Sequence, residues 1–90
     1  MTGAELRSVQ LGRPPWGRRG YDPAEVDAFL ARAAVALDAL AGRRAPGMTA
    51  EDVHSVVFGK PPLGKGRGYD EDQVDELLDR IEGTLRSASA

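Results

Sequence analysis

The chain has no cysteine and a single histidine, so disulfides, thiolate metal sites and histidine-cluster metal centres are all excluded. No apolar run approaches the length of a membrane span, and the N-terminus carries no signal-peptide core. A soluble intracellular protein is therefore expected. Net charge is only -2, which gives no general pull toward nucleic acid. Catalytic equipment is equally thin. His54 has no nucleophile or second histidine beside it, and the carboxylates Asp72, Asp75, Glu76, Asp79 and Glu82 are spaced as a solvated helix face. The sequence points to a protein that is not an enzyme and uses no cofactor, metal or small-molecule substrate.

What the chain does have is repetition. Arg13-Pro14-Pro15-Trp16-Gly17-Arg18-Arg19-Gly20-Tyr21-Asp22 returns as Lys60-Pro61-Pro62-Leu63-Gly64-Lys65-Gly66-Arg67-Gly68-Tyr69-Asp70, with Gly66 as one extra residue. The likeness extends from Met1 to Leu37 and from Met48 to Leu85, and nearly half of the aligned positions are identical. Internal repeats of this size mark a duplicated structural unit. Half of a 90-residue chain is near the lower limit for independent folding, so the two units are expected to share one core.

Each unit reads as a short helix, a Gly/Pro loop and a longer helix. Thr2 and Thr49 stand at the starts of the short helices, where Glu5 fits a capping box better than the shorter Asp52. The paired prolines forbid helix in the loops. Asp22 and Asp70 are the expected N-caps of the long helices, with Pro23 at the first helical position, and Glu25 and Gln73 in the capping-box role. Along the first long helix Val26, Leu30, Ala33, Leu37 and Leu40 follow heptad spacing; along the second, Val74, Leu78, Ile81 and Leu85 do the same. Phe29 and Leu77 widen the stripes. Two readings remain open: the stripes pair with each other inside one domain, or they are offered to a second chain.

The resulting expectation is an all-α fold of two tandem units sharing one core, with coiled-coil-like pairing of the long helices. Unit one covers residues 1–41, the linker 42–47, unit two 48–86 and a frayed tail 87–90. Gly42 is the expected C-cap of the first long helix.

Gly59-Lys60-Pro61-Pro62-Leu63-Gly64-Lys65-Gly66 nearly matches a phosphate-binding loop, but the two prolines lack the N–H groups that cradle phosphate and no hydroxyl follows the lysine. The basic loops offer a different chemistry. Arg18, Arg19, Lys65 and Arg67 surround Trp16 and Leu63, and an aromatic flanked by cations suits a membrane interface. Trp16 either stands at a loop tip or folds back on the core. Tyr21 and Tyr69 read as hydrophobic staples on Val26 and Val74, and Arg19 and Arg67 as local partners of Asp22 and Asp70.

The run Arg19-Gly20-Tyr21-Asp22, followed by Glu25-Val26-Asp27-Ala28-Phe29-Leu30, resembles the DivIVA domain of Gram-positive and actinobacterial division and polar-growth scaffolds. Unit two resembles it through Val53-His54-Ser55-Val56-Val57-Phe58, Arg67-Gly68-Tyr69-Asp70 and Val74-Asp75-Glu76-Leu77-Leu78. The arrangement is most similar to the tandem DivIVA-domain repeat proteins of actinobacteria. The resemblance implies a helical module that pairs through its long helices and touches the membrane with its loop. Membrane-binding members place an exposed Phe before the Arg-Gly, where this chain has Arg18 and Gly66, so Trp16 and Leu63 would have to substitute. The long C-terminal coiled coil of the scaffolds is not in these 90 residues. Expected partners are division or coiled-coil proteins, a copy of the chain itself, or an anionic inner leaflet. The rival reading is a cytosolic adaptor that binds a partner's coiled coil without touching lipid.

Overall fold

A computed structural model describes residues 1–88. The order is α1 (Gly3–Ser8), α2 (Pro23–Ala41), α3 (Ala50–Ser55) and α4 (Glu71–Ala88). Ser87 and Ala88 continue α4 where a frayed tail was expected, and residues 89 and 90 of that tail lie outside the described residues. Among the described residues no helix is long and apolar enough to cross a membrane.

Sequence sets the helix ends. Thr2 Oγ1 accepts from Glu5 N at 3.1 Å. At α3 the full capping box closes, with Asp52 N donating to Thr49 at 3.0 Å and Thr49 N donating to Asp52 at 2.9 Å. The expected preference for Glu5 is thus reversed. The longer Glu5 side chain reaches across to Arg80 of α4 at 3.5 Å, while Asp52 stays local. Asp22 accepts from Ala24 N and Asp70 from Gln73 N, each at 3.2 Å. At its far end α2 closes in a Schellman motif. Gly42 is the cap, and Arg43 occupies the left-handed position at φ 58 that glycine usually fills.

The stripes turn inward. Phe29, Ala33 and Leu37 of α2 and Leu77, Ile81 and Leu85 of α4 join Leu6, Met48 and Val53 in one core that draws on both units. Val26 and Val74 are fully buried as well, while Leu30, Leu40 and Leu78 are half-buried. Each long helix packs more extensively on its own unit's short helix than on the other long helix. The core is therefore closed by four helices rather than by a bare two-helix seam.

α2 and α4 run parallel. Their starts meet at an antiparallel bridge between Tyr21 and Tyr69, whose amides and carbonyls exchange bonds of 3.0 Å. Further along, α1 holds both helices at once, through Arg7 to Asp38 at 2.7 Å and Glu5 to Arg80. The loops cross beside the bridge, and each serves the other unit's backbone. Gly20 N donates to Arg67 O at 2.6 Å, Asp22 N to Gly59 O at 2.8 Å and Asp70 N to Gly12 O at 2.9 Å.

Side chains repeat the exchange in both directions. Tyr21 Oη donates to Asp75 at 2.9 Å and Tyr69 Oη to Asp27 at 2.8 Å. Arg67 donates to Pro14 O at 3.1 Å, and Arg19 donates to Pro61 O. Gly12 N finds Gln73 Oε1 at 2.7 Å and Gly59 N finds Glu25 Oε1 at 3.2 Å. Two sequence readings are corrected here, and a third is extended. Glu25 and Gln73 face the opposite loop's glycine rather than their own caps. Arg19 and Arg67 bond carbonyls across the interface rather than Asp22 and Asp70. The tyrosines reach the other unit's helix, Tyr21 also stacking on Phe58 with centroids 5.4 Å apart. The cause is common to all: the crossing loop brings partners that local sequence cannot anticipate.

Gly20 permits this closeness. A Cβ there would lie 1.7 Å from Tyr69 O, and one at Gly68 would lie 2.3 Å from Tyr21 O. Gly20→Ala should therefore force the bridge apart and cost about 2–4 kcal/mol in urea denaturation. Gly83→Ala, mid-helix in open space, is expected to stabilise by about 1 kcal/mol. Equal effects at the two sites would contradict the close-approach argument.

The clasp also sets a pH window. Burial, reinforced by the bond to Asp75, pushes the Tyr21 hydroxyl up to about 12, and Asp27 together with burial raises that of Tyr69. A folded pKa above the unfolded value of about 10 favours the neutral phenol. Its contribution is complete below pH ~10 and disappears as pH rises through the folded value. Thermal stability should fall between about pH 10 and 12 as phenolate absorbance grows. In Tyr21→Phe/Tyr69→Phe that alkaline loss should shrink, with about 0.5–1 kcal/mol per hydroxyl lost at neutral pH.

Candidate functional site

The crossed loops leave two short turns at the end of the particle where α2 and α4 begin. In the first, Arg18 N donates to Pro15 O at 3.1 Å; in the second, Lys65 N donates to Pro62 O at 3.0 Å. Both have the sequence Pro-X-Gly-cation, with the glycine at positive φ: 85 at Gly17 and 81 at Gly64. Proline opens each turn and a glycine at positive φ stands at its third position, as a type II turn requires. X is Trp16 in one unit and Leu63 in the other, and each is 90% exposed. Trp16 does not fold back on the core.

Arg67 stacks over the Trp16 ring at 5.3 Å while its guanidinium holds Pro14 O. The indole is thereby tied to the clasp, although its other face is open. The loop cations divide into two groups. Arg19, Lys60 and Arg67 are engaged, Lys60 with Arg19 O at 3.2 Å and with Glu71. Among the described residues, the side chains of Arg13, Arg18 and Lys65 have neither hydrogen bond nor ion pair. Of the cations singled out in the sequence, Arg18 and Lys65 are free and Arg19 and Arg67 belong to the architecture.

The remaining candidates lie elsewhere. The stripe residues Val26, Phe29, Leu30, Ala33, Leu37, Leu40, Val74, Leu77, Leu78, Ile81 and Leu85 are turned into the core or its margin, and Asp22 and Asp70 are at the helix starts. At the distal end, Arg86 and then His54 hold the Glu82 carboxyl below the usual range. Arg7 does the same for Asp38. No group of residues that could hold a metal ion occurs among the described residues.

Sequence reasoning missed Asp27, Asp75, Glu25 and Gln73 as clasp residues. A signal was present for two of them. Asp27 and Asp75 are identical on exposed helix faces that differ at most other positions, and an exposed position has no packing reason to stay the same.

No family model matches the chain, and no solved structure matches it. The chain is similar to the cell wall synthesis protein Wag31 of Mycobacterium tuberculosis, Mycobacterium leprae and Mycolicibacterium smegmatis, at 58% identity over 38 residues in each case. That stretch is 42% of this chain and 14% of each relative. The match covers about one unit's worth of sequence, and it supports a relation to the DivIVA family.

Proposed function

We propose that the chain is a tandem, non-catalytic DivIVA-like module serving cell-wall growth or division from the cytoplasmic side, and docking its paired tips on the anionic inner leaflet. The observation that carries the reading is the placement of Trp16 and Leu63, both 90% exposed, on matching turns beside the free cations Arg13, Arg18 and Lys65. The similarity to proteins named for cell wall synthesis supports the setting. In this mechanism the cations draw the tip to anionic headgroups at about 1 kcal/mol each, and the apolar side chains insert shallowly for about 1.5–3 kcal/mol each. The acidic face of α4 subtracts from the attraction. One weak anchor does not hold a protein on a bilayer, so the two tips act together.

A second reading, an adaptor for a partner's helix with no lipid contact, is supported by the exposed carboxylates Asp72, Glu76 and Asp79 on α4. The heptad stripes themselves are occupied within the core.

Co-sedimentation with neutral and anionic liposomes at low and physiological salt separates the two. Binding should require anionic lipid and weaken with salt. Trp16→Ser should reduce it about tenfold with helicity unchanged, and Leu63→Ser should reduce it less. Absence of pelleting with every lipid would remove the membrane reading and leave the adaptor.

A further inference from the structure

Among the described residues, four large apolar side chains are exposed: Trp16 and Leu63 at the tips, Val57 after α3, and Val35 in the middle of α2 at 61%. Val35 has a distinctive setting. Grooves of about 410 and 390 Å³ adjoin it, one lined by Leu6, Val9 and Leu30, the other by Pro46 and Met48. With Ala24, Ala28 and Ala31 it forms an exposed line at heptad spacing, Ala28 and Val35 in a positions, Ala24 and Ala31 in d. This line faces away from the core stripe.

The duplication supplies an internal control. The equivalent line on α4 is Asp72, Glu76, Asp79 and Gly83, so one outward face is apolar and the other acidic. The flanks did not diverge: Asp27 and Arg32 on α2 match Asp75 and Arg80 on α4. In the register of the apolar line Asp27 is a g residue and Arg32 the following e. That is the pair which meets between parallel, in-register helices. Among the described residues Arg32 has no hydrogen bond or ion pair, and its charge only helps to lower the Asp52 carboxyl. Asp27 commits Oδ1 to Tyr69 and keeps its second oxygen.

We propose that two copies of the chain pair in parallel through the outward face of α2, with Val35 of each at the seam and Asp27 of each opposite Arg32 of the other. Charge complementarity selects this occupant and this direction. Antiparallel pairing would set Asp27 against its own flank and leave Arg32 opposite Glu25, whose Oε1 already accepts from Gly59 N. The α4 face of a second copy would press Glu76 and Asp79 against alanines and strip them of water. A parallel pair points all its tips the same way, although the pairing does not depend on lipid. With so short a seam, association is expected only toward high protein concentration.

Sedimentation equilibrium from micromolar to millimolar protein should show a monomer–dimer equilibrium. Ala28→Glu/Ala31→Asp places on α2 the residues that α4 already carries at Glu76 and Asp79. It should weaken the dimer at least about tenfold, with helicity and melting unchanged. The chain is cysteine-free, so Ala28→Cys reports geometry directly. Under mild oxidation it should cross-link to itself better than to Ala31→Cys in a mixture. A monomer at every concentration would overturn the proposal. So would a dimer that survives the double substitution, or a preference for the mixed cross-link.

Discussion

The exchange of backbone between the two crossing loops is the constraint on which the rest of the molecule depends. A loop with two adjacent prolines cannot satisfy its carbonyls by continuing a helix, and a unit of this size cannot bury enough surface alone. Each loop therefore depends on the other. Pro14 and Pro61 present their carbonyls to Arg67 and Arg19, and Gly12 and Gly59 take acceptors from Gln73 and Glu25. All of it requires the backbones to approach at Gly20 and Gly68, where a methyl group has no room. The Arg-Gly-Tyr-Asp run is thus a set of complementary duties. Arg binds a carbonyl opposite, Gly admits the strand, Tyr bridges and reaches a carboxylate, and Asp caps the helix that follows.

What could be read from sequence, and what could not, divides along the same line. The helix starts at Thr2, Thr49, Asp22 and Asp70, the loops and the heptad stripes are governed by neighbours a few residues away, and local rules describe them well. The clasp is governed by residues half a chain away. Glu25 three residues after Asp22 is a capping signature in isolation, and nothing local says that Gly59 N will be the better donor. Arg19 beside Asp22 invites a local pair for the same reason. In each case two partners of equal chemistry compete, and only the path of the crossing loop decides. The shared Asp27 and Asp75 were the trace left in the sequence. They are exposed yet identical, each holding the other unit's tyrosine.

The tips follow from the clasp rather than standing beside it. Arg19 and Arg67 fasten the base of each loop, so the residues between Pro15 and Arg18, and between Pro62 and Lys65, can only turn outward. Glycine at the third turn position sharpens the bend and leaves X with no surface to cover. Trp16 and Leu63 are exposed by construction, as is the contrast between fastened and free cations. Fastening each loop at its base shortens the segment that docking has to order, which lowers the ordering cost. In the proposed docking Trp16 and Leu63 would take the place of the Phe that the resemblance puts at the positions of Arg18 and Gly66, two and three residues further along.

Duplication inside one chain also loosens a restriction that a symmetric dimer cannot escape. In a homodimer every change on one outer face appears on both. Here the interior retains its pairing, Val26 with Val74 and Leu37 with Leu85 at matching positions, while the exteriors have separated into an apolar line on α2 and an acidic one on α4. The separation is confined to positions that touch neither core nor clasp. The clasp residues that bond across the units remain the same in both halves or change only within their chemistry, as Glu25 and Gln73 do. An apolar outer line gains little burial on a helix already packed on its other side, and although alanine favours helix, Val35 at 61% exposure does not. Its presence on one unit alone is therefore a statement about contact with something outside the chain.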